Sequence, residues 1–395
     1  MLTSHSPAAA STGDFTFETA PRIICRDGAA SSLGDVAREC GITRALVVTD
    51  NGVLNSGIID DALQSFSGSG VSHVVYSAVL PDPPEQTVLD AVQFARDQRV
   101  DGVIGLGGGS SLDTAKLVAL LAGSDSVLQD IYGVGLARGS RLPLIQIPTT
   151  AGTGSEVTSI AIVTTPSSEK KGVVSRLLYP DVAILDATLT LGLPARVSAM
   201  TGIDAMVHAI EAYTSRLRKN VLSDSLAVRA LQLLSFNLPK VLRDGTDIHA
   251  RRAMLQGATF AGMAFANAPV AAVHALAYPL GGHFHVPHGL SNALVLLPVL
   301  EFNRAAADHL YGELASHVFT EKSGWSTERS ANAFVQSMET IVDGLGLERT
   351  LREVGVQEHH LEMLAADALK VQRLLVNNPR EVTIQDAHNI YRSVF

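Results

Sequence analysis

Apolar positions follow two different rhythms along this chain of 395 residues. In the first half, short β-branched runs alternate with helical spacing. Ala45–Thr49 is one such run, ended by the turn signal Asp50-Asn51-Gly52. His73–Ser77 is a second. Pro81-Asp82-Pro83-Pro84 then breaks the chain, and Glu85–Arg99 places Val88, Val92 and Ala95 on one helical face. Gly102–Leu106 reads as a buried strand, Ser111–Leu121 as a helix, and Leu144–Ile147 and Val182–Leu185 as further strands. This alternation predicts an α/β unit with a mostly parallel sheet and helices on both faces.

From Ala195 onward strand signals nearly vanish. Ser198–Ser215, Ser223–Phe236, Ala250–Ala266, Ala331–Leu345 and Ile384–Val394 read as helices, many rich in alanine, which favours close packing. The change of rhythm falls near Leu193-Pro194. It predicts an α/β domain over 15–194, an all-α domain over 195–395, and a disordered tail over 1–14. The length agrees, being too great for one ordinary core.

Composition narrows the class. Apolar residues make up 46% and charged residues 17%, as in well-packed globular proteins. The formal net charge of −9, with no basic stripe, speaks against a nucleic-acid partner. Cys25 and Cys40 are the only cysteines and form no framework. The N-terminus lacks the basic and apolar regions of a secretory signal, and no apolar run nears the roughly 20 residues of a membrane span. The expectation is a cytoplasmic protein with reduced cysteines and no membrane partner.

Two loops carry candidate chemistry in the first half. Gly105, Gly107, Gly108 and Gly109 end a strand, and Ser110, Ser111, Leu112 and Asp113 open a helix. Glycine permits close backbone approach, and the free N–H groups of a first helical turn suit a pyrophosphate. Serine stands where the strict dinucleotide fingerprint has its third glycine, so a plain tight turn is the competing reading. Thr149, Thr150 and Thr153 in PTTAGTGS follow another strand and offer hydroxyls where strand ends gather, or else form a solvated loop. Together they favour a Rossmann-like dinucleotide site. Asp50 ends a third strand. An acid there bonds a ribose 2′-OH and repels a 2′-phosphate, favouring NAD over NADP, unless it only caps a turn.

The second half holds a candidate metal set. Asp204 and His208 are four apart, on one face of a helix. His274 and His288 lie in HALAYPLGGHFHVPHG, with His283 and His285 between them. One carboxylate and three imidazoles suit a borderline divalent ion, iron or zinc alike. Pro287 and Gly289 read as a turn around His288.

These segments resemble the iron-containing, or group III, alcohol dehydrogenase family. GGGSSLDTAK (107–116), PTTAGTGSEVT (148–158), GIDAMVHAIEAY (202–213) and HALAYPLGGHFHVPHG (274–289) carry the resemblance, which runs from roughly residue 15 to the end. It implies a dehydroquinate synthase-like architecture with the active site between the domains. It implies a metal, Fe²⁺ with Zn²⁺ as the alternative, on Asp204, His208, His274 and His288. It implies dinucleotide contacts along Gly107–Ser110 and Thr149–Thr153, and reversible oxidation of a small alcohol to an aldehyde or ketone by a homodimer or higher oligomer. Many members carry a histidine four residues after the third ligand, where this chain has Tyr278. That departure leaves a hydroxyacid–oxoacid transhydrogenase as an alternative; a maleylacetate reductase-like activity is another, although the four filled ligand positions count against it. A dehydroquinate synthase-type lyase or cyclase and a non-catalytic NAD-binding protein are the other two. Tyr278 and the ligand His288 are the candidate catalytic residues.

Overall fold

A computed structural model describes residues 13–167, 169–319 and 325–395; most of the expected N-terminal tail lies outside them. Nine strands are present among the described residues: β1 (Ile23–Cys25), β2 (Arg44–Val48), β3 (Ser72–Tyr76), β4 (Gly102–Gly107), β5 (Gly133–Val134), β6 (Leu144–Pro148), β7 (Ile160–Thr164), β8 (Lys170–Val174) and β9 (Val182–Leu185). Six form one sheet in the order β1-β9-β6-β4-β2-β3, with every pairing parallel. The mostly parallel sheet is therefore present.

Period-two alternation explains how this sheet is covered. Leu46 and Val48 of β2 pack with Val103 and Leu144 on one face, against Val88, Ala91 and Val118. Ala45 and Val47 point the other way, joining Ile104, Ile145 and Ile184 against Leu33, Val36 and Ala62. The first set of helices is α4 (Glu85–Asp97) and α5 (Gly109–Ala122). The second includes α1 (Leu33–Glu39) and α3 (Asp60–Gln64), with the short α2 (Asn51–Asn55) between α1 and α3 in the chain. Strands β4, β6 and β9 are buried throughout, as expected of continuous apolar runs covered on both faces.

A second, smaller sheet has the order β5-β8-β7, with β7 and β8 antiparallel. It packs beside α5 and was not expected.

From Ala195 onward the described residues form helices and their connections: α6 (Ala195–Thr214), α7 (Val221–Arg243), α8 (Ile248–Asn267), α9 (Ala272–Phe284), α10 (His288–Val318), α11 (Thr327–Asp343), α12 (Leu361–Ala368), α13 (Gln372–Leu375) and α14 (Ile384–Ser393). Among the described residues no single helix is long and apolar enough to cross a membrane. The turn expected at Pro287–Gly289 is displaced. His285 ends α9 in the left-handed region, Pro287 caps α10, and His288 and Gly289 are its first two residues. Proline suits such a position because the first helical N–H groups need no intrahelical acceptor.

The two halves meet through glycine. A Cβ on Gly154, in the loop after β6, would lie 2.5 Å from the Gly262 Cα in α8. That contact seats the Thr149–Ser155 loop directly against α8.

Candidate metal centre and nucleotide crevice

Helix α6 brings three polar side chains onto one buried stripe. Asp204, His208 and Glu211 are spaced i, i+4 and i+7, so they share the face turned toward α9 and α10. His274 comes from the first turn of α9, His288 from the first residue of α10. The ligand atoms of Asp204, His208, His274 and His288 all lie within 4.8 Å of one another. Asp204 Oδ1 is 3.8 Å from His208 Nε2, 3.8 Å from His274 Nε2 and 3.5 Å from His288 Nε2. A tetrahedral ion with bonds of roughly 2.1 Å sets its ligands roughly 3.4 Å apart, so the four residues fit a divalent metal.

The protonation chemistry fits as well. Burial pushes His208 down to about 3 and lowers His288, so both imidazoles stay neutral, the form that ligates. Burial works to raise the Asp204 carboxyl; the facing imidazoles, whenever one of them carries a proton, and the Asn292 amide lower it, and the balance leaves it below its ordinary range.

A supporting shell surrounds these ligands. Glu211 Oε2 sits 2.6 Å from His274 Nδ1, and Glu211 Oε1 accepts from the Val273 N–H. The carboxylate thereby fixes the ring so that Nε2 faces the other ligands. Asn292 Nδ2 donates to Asp204 Oδ1 at 2.6 Å. Phe265 stacks on His208 at 4.3 Å, and the Gly152 carbonyl faces the same imidazole without closing a full hydrogen bond. Neither Glu211 nor Asn292 was foreseen, although each stands at helical spacing from a ligand. His283 instead pairs with Asp367 at 2.6 Å, and the described residues place neither it nor His285 in the metal group.

The nucleotide candidates collect at the carboxyl ends of β2, β4 and β6. The Thr149 N–H donates to the Gly107 carbonyl, and a Cβ on Gly109 would lie 2.6 Å from Thr153 Cγ2, so the two loops touch. Gly108 faces Thr150. Asp50 caps α2 by accepting from the Val53 N–H at 2.9 Å. Its other oxygen lies 3.7 Å from where a Cβ on Gly107 would stand. The cap reading and the crevice position therefore hold together. Ser110 Oγ accepts from the Asp82 N–H. Asp113 accepts from Ser155 Oγ and the Ile162 N–H, tying α5 to the small sheet.

One cavity joins the two features. Gly109, Ser110, Asp113 and Thr153 line one end, and Asp204, His208, His274 and His288 the other. Tyr278 lines it too, four residues after His274 on α9, its ring 6.1 Å from that of His288. Burial raises the Tyr278 phenol above its ordinary value. Lys170 and Arg373 complete the wall and carried no sequence signal. Asp50, Gly107, Gly108, Thr149 and Thr150 are not among the residues lining this cavity; they meet one another at the ends of β2, β4 and β6.

Known proteins resemble this chain over nearly its whole length. Residues 20–187 match the family described as iron-containing alcohol dehydrogenase, and residues 198–395 match the Fe-containing alcohol dehydrogenase family, C-terminal. Long-chain-alcohol dehydrogenase 1 of Geobacillus thermodenitrificans is 41% identical over 371 residues, 93% of each chain. The NAD-dependent methanol dehydrogenase of Bacillus methanolicus is 32% identical over 374 residues, 94% of this chain and 98% of that one. A crystal structure of 1,3-propanediol oxidoreductase superposes with a TM-score of 0.93 at 31% identity, covering 97% of this chain and 100% of that chain. The fold and the paired sites define an oxidoreductase built from a nucleotide crevice and a metal centre. The chain belongs to the iron-containing alcohol dehydrogenase family.

Proposed function

We propose that this protein oxidises a small alcohol reversibly to an aldehyde or ketone, using NAD in preference to NADP and Fe²⁺ with Zn²⁺ as the alternative ion. The observation that carries the reading is the single cavity shared by Gly109, Ser110 and Thr153 and the four-ligand cluster. Asp204, His208, His274 and His288 hold the ion, and Gly107, Gly108, Gly109, Ser110, Thr149, Thr150 and Thr153 line the dinucleotide path. Asp113 positions the α5 end of that path, and Asp50 faces the ribose. Residues 15–194 serve as the dinucleotide domain and 195–395 as the metal domain. The named activity of the Bacillus methanolicus relative supports NAD, and the iron in the family's description supports Fe²⁺. A cytoplasmic homodimer or higher oligomer is the accompanying expectation.

A bound divalent ion supplies a Lewis acid to the substrate oxygen, and a nicotinamide supplies the hydride chemistry. The chain's own residues do the rest. Glu211 and Asn292 lock the ligand geometry. Tyr278, kept protonated by burial, is a hydrogen-bond donor in the cavity wall. Phe265 and Val270 line the cavity beside the ligands, limiting water there.

The test is NADH production from a panel of alcohols by metal-loaded protein, with the His274→Ala variant as control. Turnover that depends on His274 is expected. A protein that binds NAD and oxidises no alcohol, or a variant with full activity, would overturn the proposal.

A further inference from the structure

Charge balance around Tyr278 is uneven. Two cavities share the wall formed by Tyr278, Lys170 and Arg373, one holding the metal ligands and one opening beyond them. Lys171 and Lys370 line the outer cavity. Lys170 pairs with Asp82 at 2.7 Å, Lys171 with Glu169 at 3.7 Å and Lys370 with Asp367 at 2.6 Å. His283 also leans on Asp367, at 2.6 Å. Arg373 differs from all of these. Among the described residues no carboxylate lies within ion-pair distance of it. Its guanidinium stands half-buried beside the Tyr278 hydroxyl and 3.2 Å from where a Cβ on Gly172 would stand.

A guanidinium offers a planar fork of N–H donors that matches a carboxylate bidentately. Here the fork lies beside the Tyr278 hydroxyl, in the wall of the cavity that also holds the four candidate ligands. We propose that Arg373 makes this enzyme selective for alcohols and aldehydes that carry a terminal carboxylate, with Tyr278 as the spacer that sets the length between the reacting carbon and the anion. The hydroxyl end belongs at the metal cluster and the carboxylate at Arg373. The Tyr278 ring stands 6.1 Å from that of His288 and Arg373 sits at its hydroxyl, a spacing that on this proposal selects ω-hydroxy acids over 2-hydroxy acids. This inference rests on the dehydrogenase reading above and names its substrate class.

The experiment compares chain-matched pairs, 4-hydroxybutanoate against 1-butanol and 5-hydroxypentanoate against 1-pentanol, in the metal-loaded enzyme with NAD. A charge-assisted contact of this kind is worth about ten- to a hundredfold in kcat/KM. The native enzyme is expected to favour the acid of each pair by that factor. The acid-to-neutral ratio should collapse at least tenfold in Arg373→Met and partly recover in Arg373→Lys, which keeps the charge and loses the fork. Added salt should raise KM for the acids more than for the neutral alcohols. A clamp that merely joins β8 to α13 would lower both substrates together and leave the ratio unchanged, which would overturn the inference. So would native preference for the neutral member. Should Arg373→Met not fold, calorimetric titration of butanoate into the native NADH-bound enzyme decides: saturable, salt-sensitive binding supports the inference, and none overturns it. Turnover of neutral alcohols without acid preference removes this inference alone; no turnover of any alcohol removes the dehydrogenase reading with it.

Discussion

Glu211 Oε2 and His274 Nδ1 are 2.6 Å apart, both buried, and the same carboxylate holds the Val273 N–H through its other oxygen. One side chain thus fixes both the ring and the backbone of a metal ligand. Glu211→Gln keeps the shape and removes the charge, which lowers the basicity of the His274 ring. Metal affinity is expected to fall by about 10- to 100-fold. Competition against a graded series of chelators would measure it. An unchanged affinity would reduce Glu211 to a packing residue.

Asp50 serves two purposes that a single substitution can separate. Its carboxylate caps α2, and it also stands at the crevice beside Gly107. Asp50→Ser retains a side-chain acceptor for the Val53 N–H, so the cap survives. The negative charge is lost. The ratio of kcat/KM for NAD to that for NADP should fall by about tenfold or more, with melting temperature nearly unchanged. A constant ratio would leave Asp50 as a cap only.

The main sheet was legible because it obeys a strong local rule; the four candidate ligands came from a weaker spacing joined to the family resemblance. β2, β3, β4, β6 and β9 are short, apolar and bounded by turn residues, and Asp204 and His208 share a helical face. What escaped had weaker signals. β1 is three residues long at a sheet edge and largely exposed. β8 opens on Lys170 and Lys171 and reads as polar. α10 carries Pro298 in its interior, where proline removes a helical hydrogen bond, yet the helix runs through it for 31 residues. Glu211 and Asn292 follow ligands at i+3 and i+4, so the pattern was visible but unread. Arg373 was not recoverable: it reaches the cavity from α13, some way along the chain, and only the folded contacts place it there.

Gly289 tests how tightly His288 is placed. A Cβ at this position would lie 2.1 Å from the Met200 carbonyl oxygen, a contact with α6 backbone that no rotamer change relieves. Gly289→Ala must push α10 away from α6, and His288 moves with it. Overpacking of this kind costs about 1–3 kcal/mol or more. Thermal denaturation should show that loss, and elemental analysis should show less metal per chain. Full metal content in a destabilised variant would mean that the first turn of α10 can shift without carrying the ligand away.

The buried imidazole of His208 gives the metal-free protein a specific pH response. Burial holds it at about 3 in the folded state, against 6.5 for an unperturbed histidine. Between these values the unfolded chain binds a proton that the folded chain refuses. Stability therefore rises with pH across this window and is lost as pH falls from about 6.5 toward 3. Chelator-treated protein should melt progressively lower from about pH 6.5 to about pH 4.5, and His208→Gln should flatten that slope. Identical slopes in the two proteins would show that His208 does not titrate as its burial requires. Restoring the metal should steepen the loss, because ligation also demands neutral imidazole.

Tyr278 occupies the place where many family members carry a histidine, and its surroundings define what a phenol can do there. Burial raises its pKa above the ordinary value of 10, and Arg373 beside it only partly offsets that. The hydroxyl stays protonated across the working range, so it donates a hydrogen bond and does not relay protons. Tyr278→Phe should therefore lower kcat by about tenfold or less, leave metal content unchanged and leave the shape of the pH–rate profile unchanged. Direct proton transfer would instead make the loss about 10²–10⁴-fold and move a limb of that profile. The profile is the deciding readout, because a packing defect can lower kcat but cannot remove a titrating group.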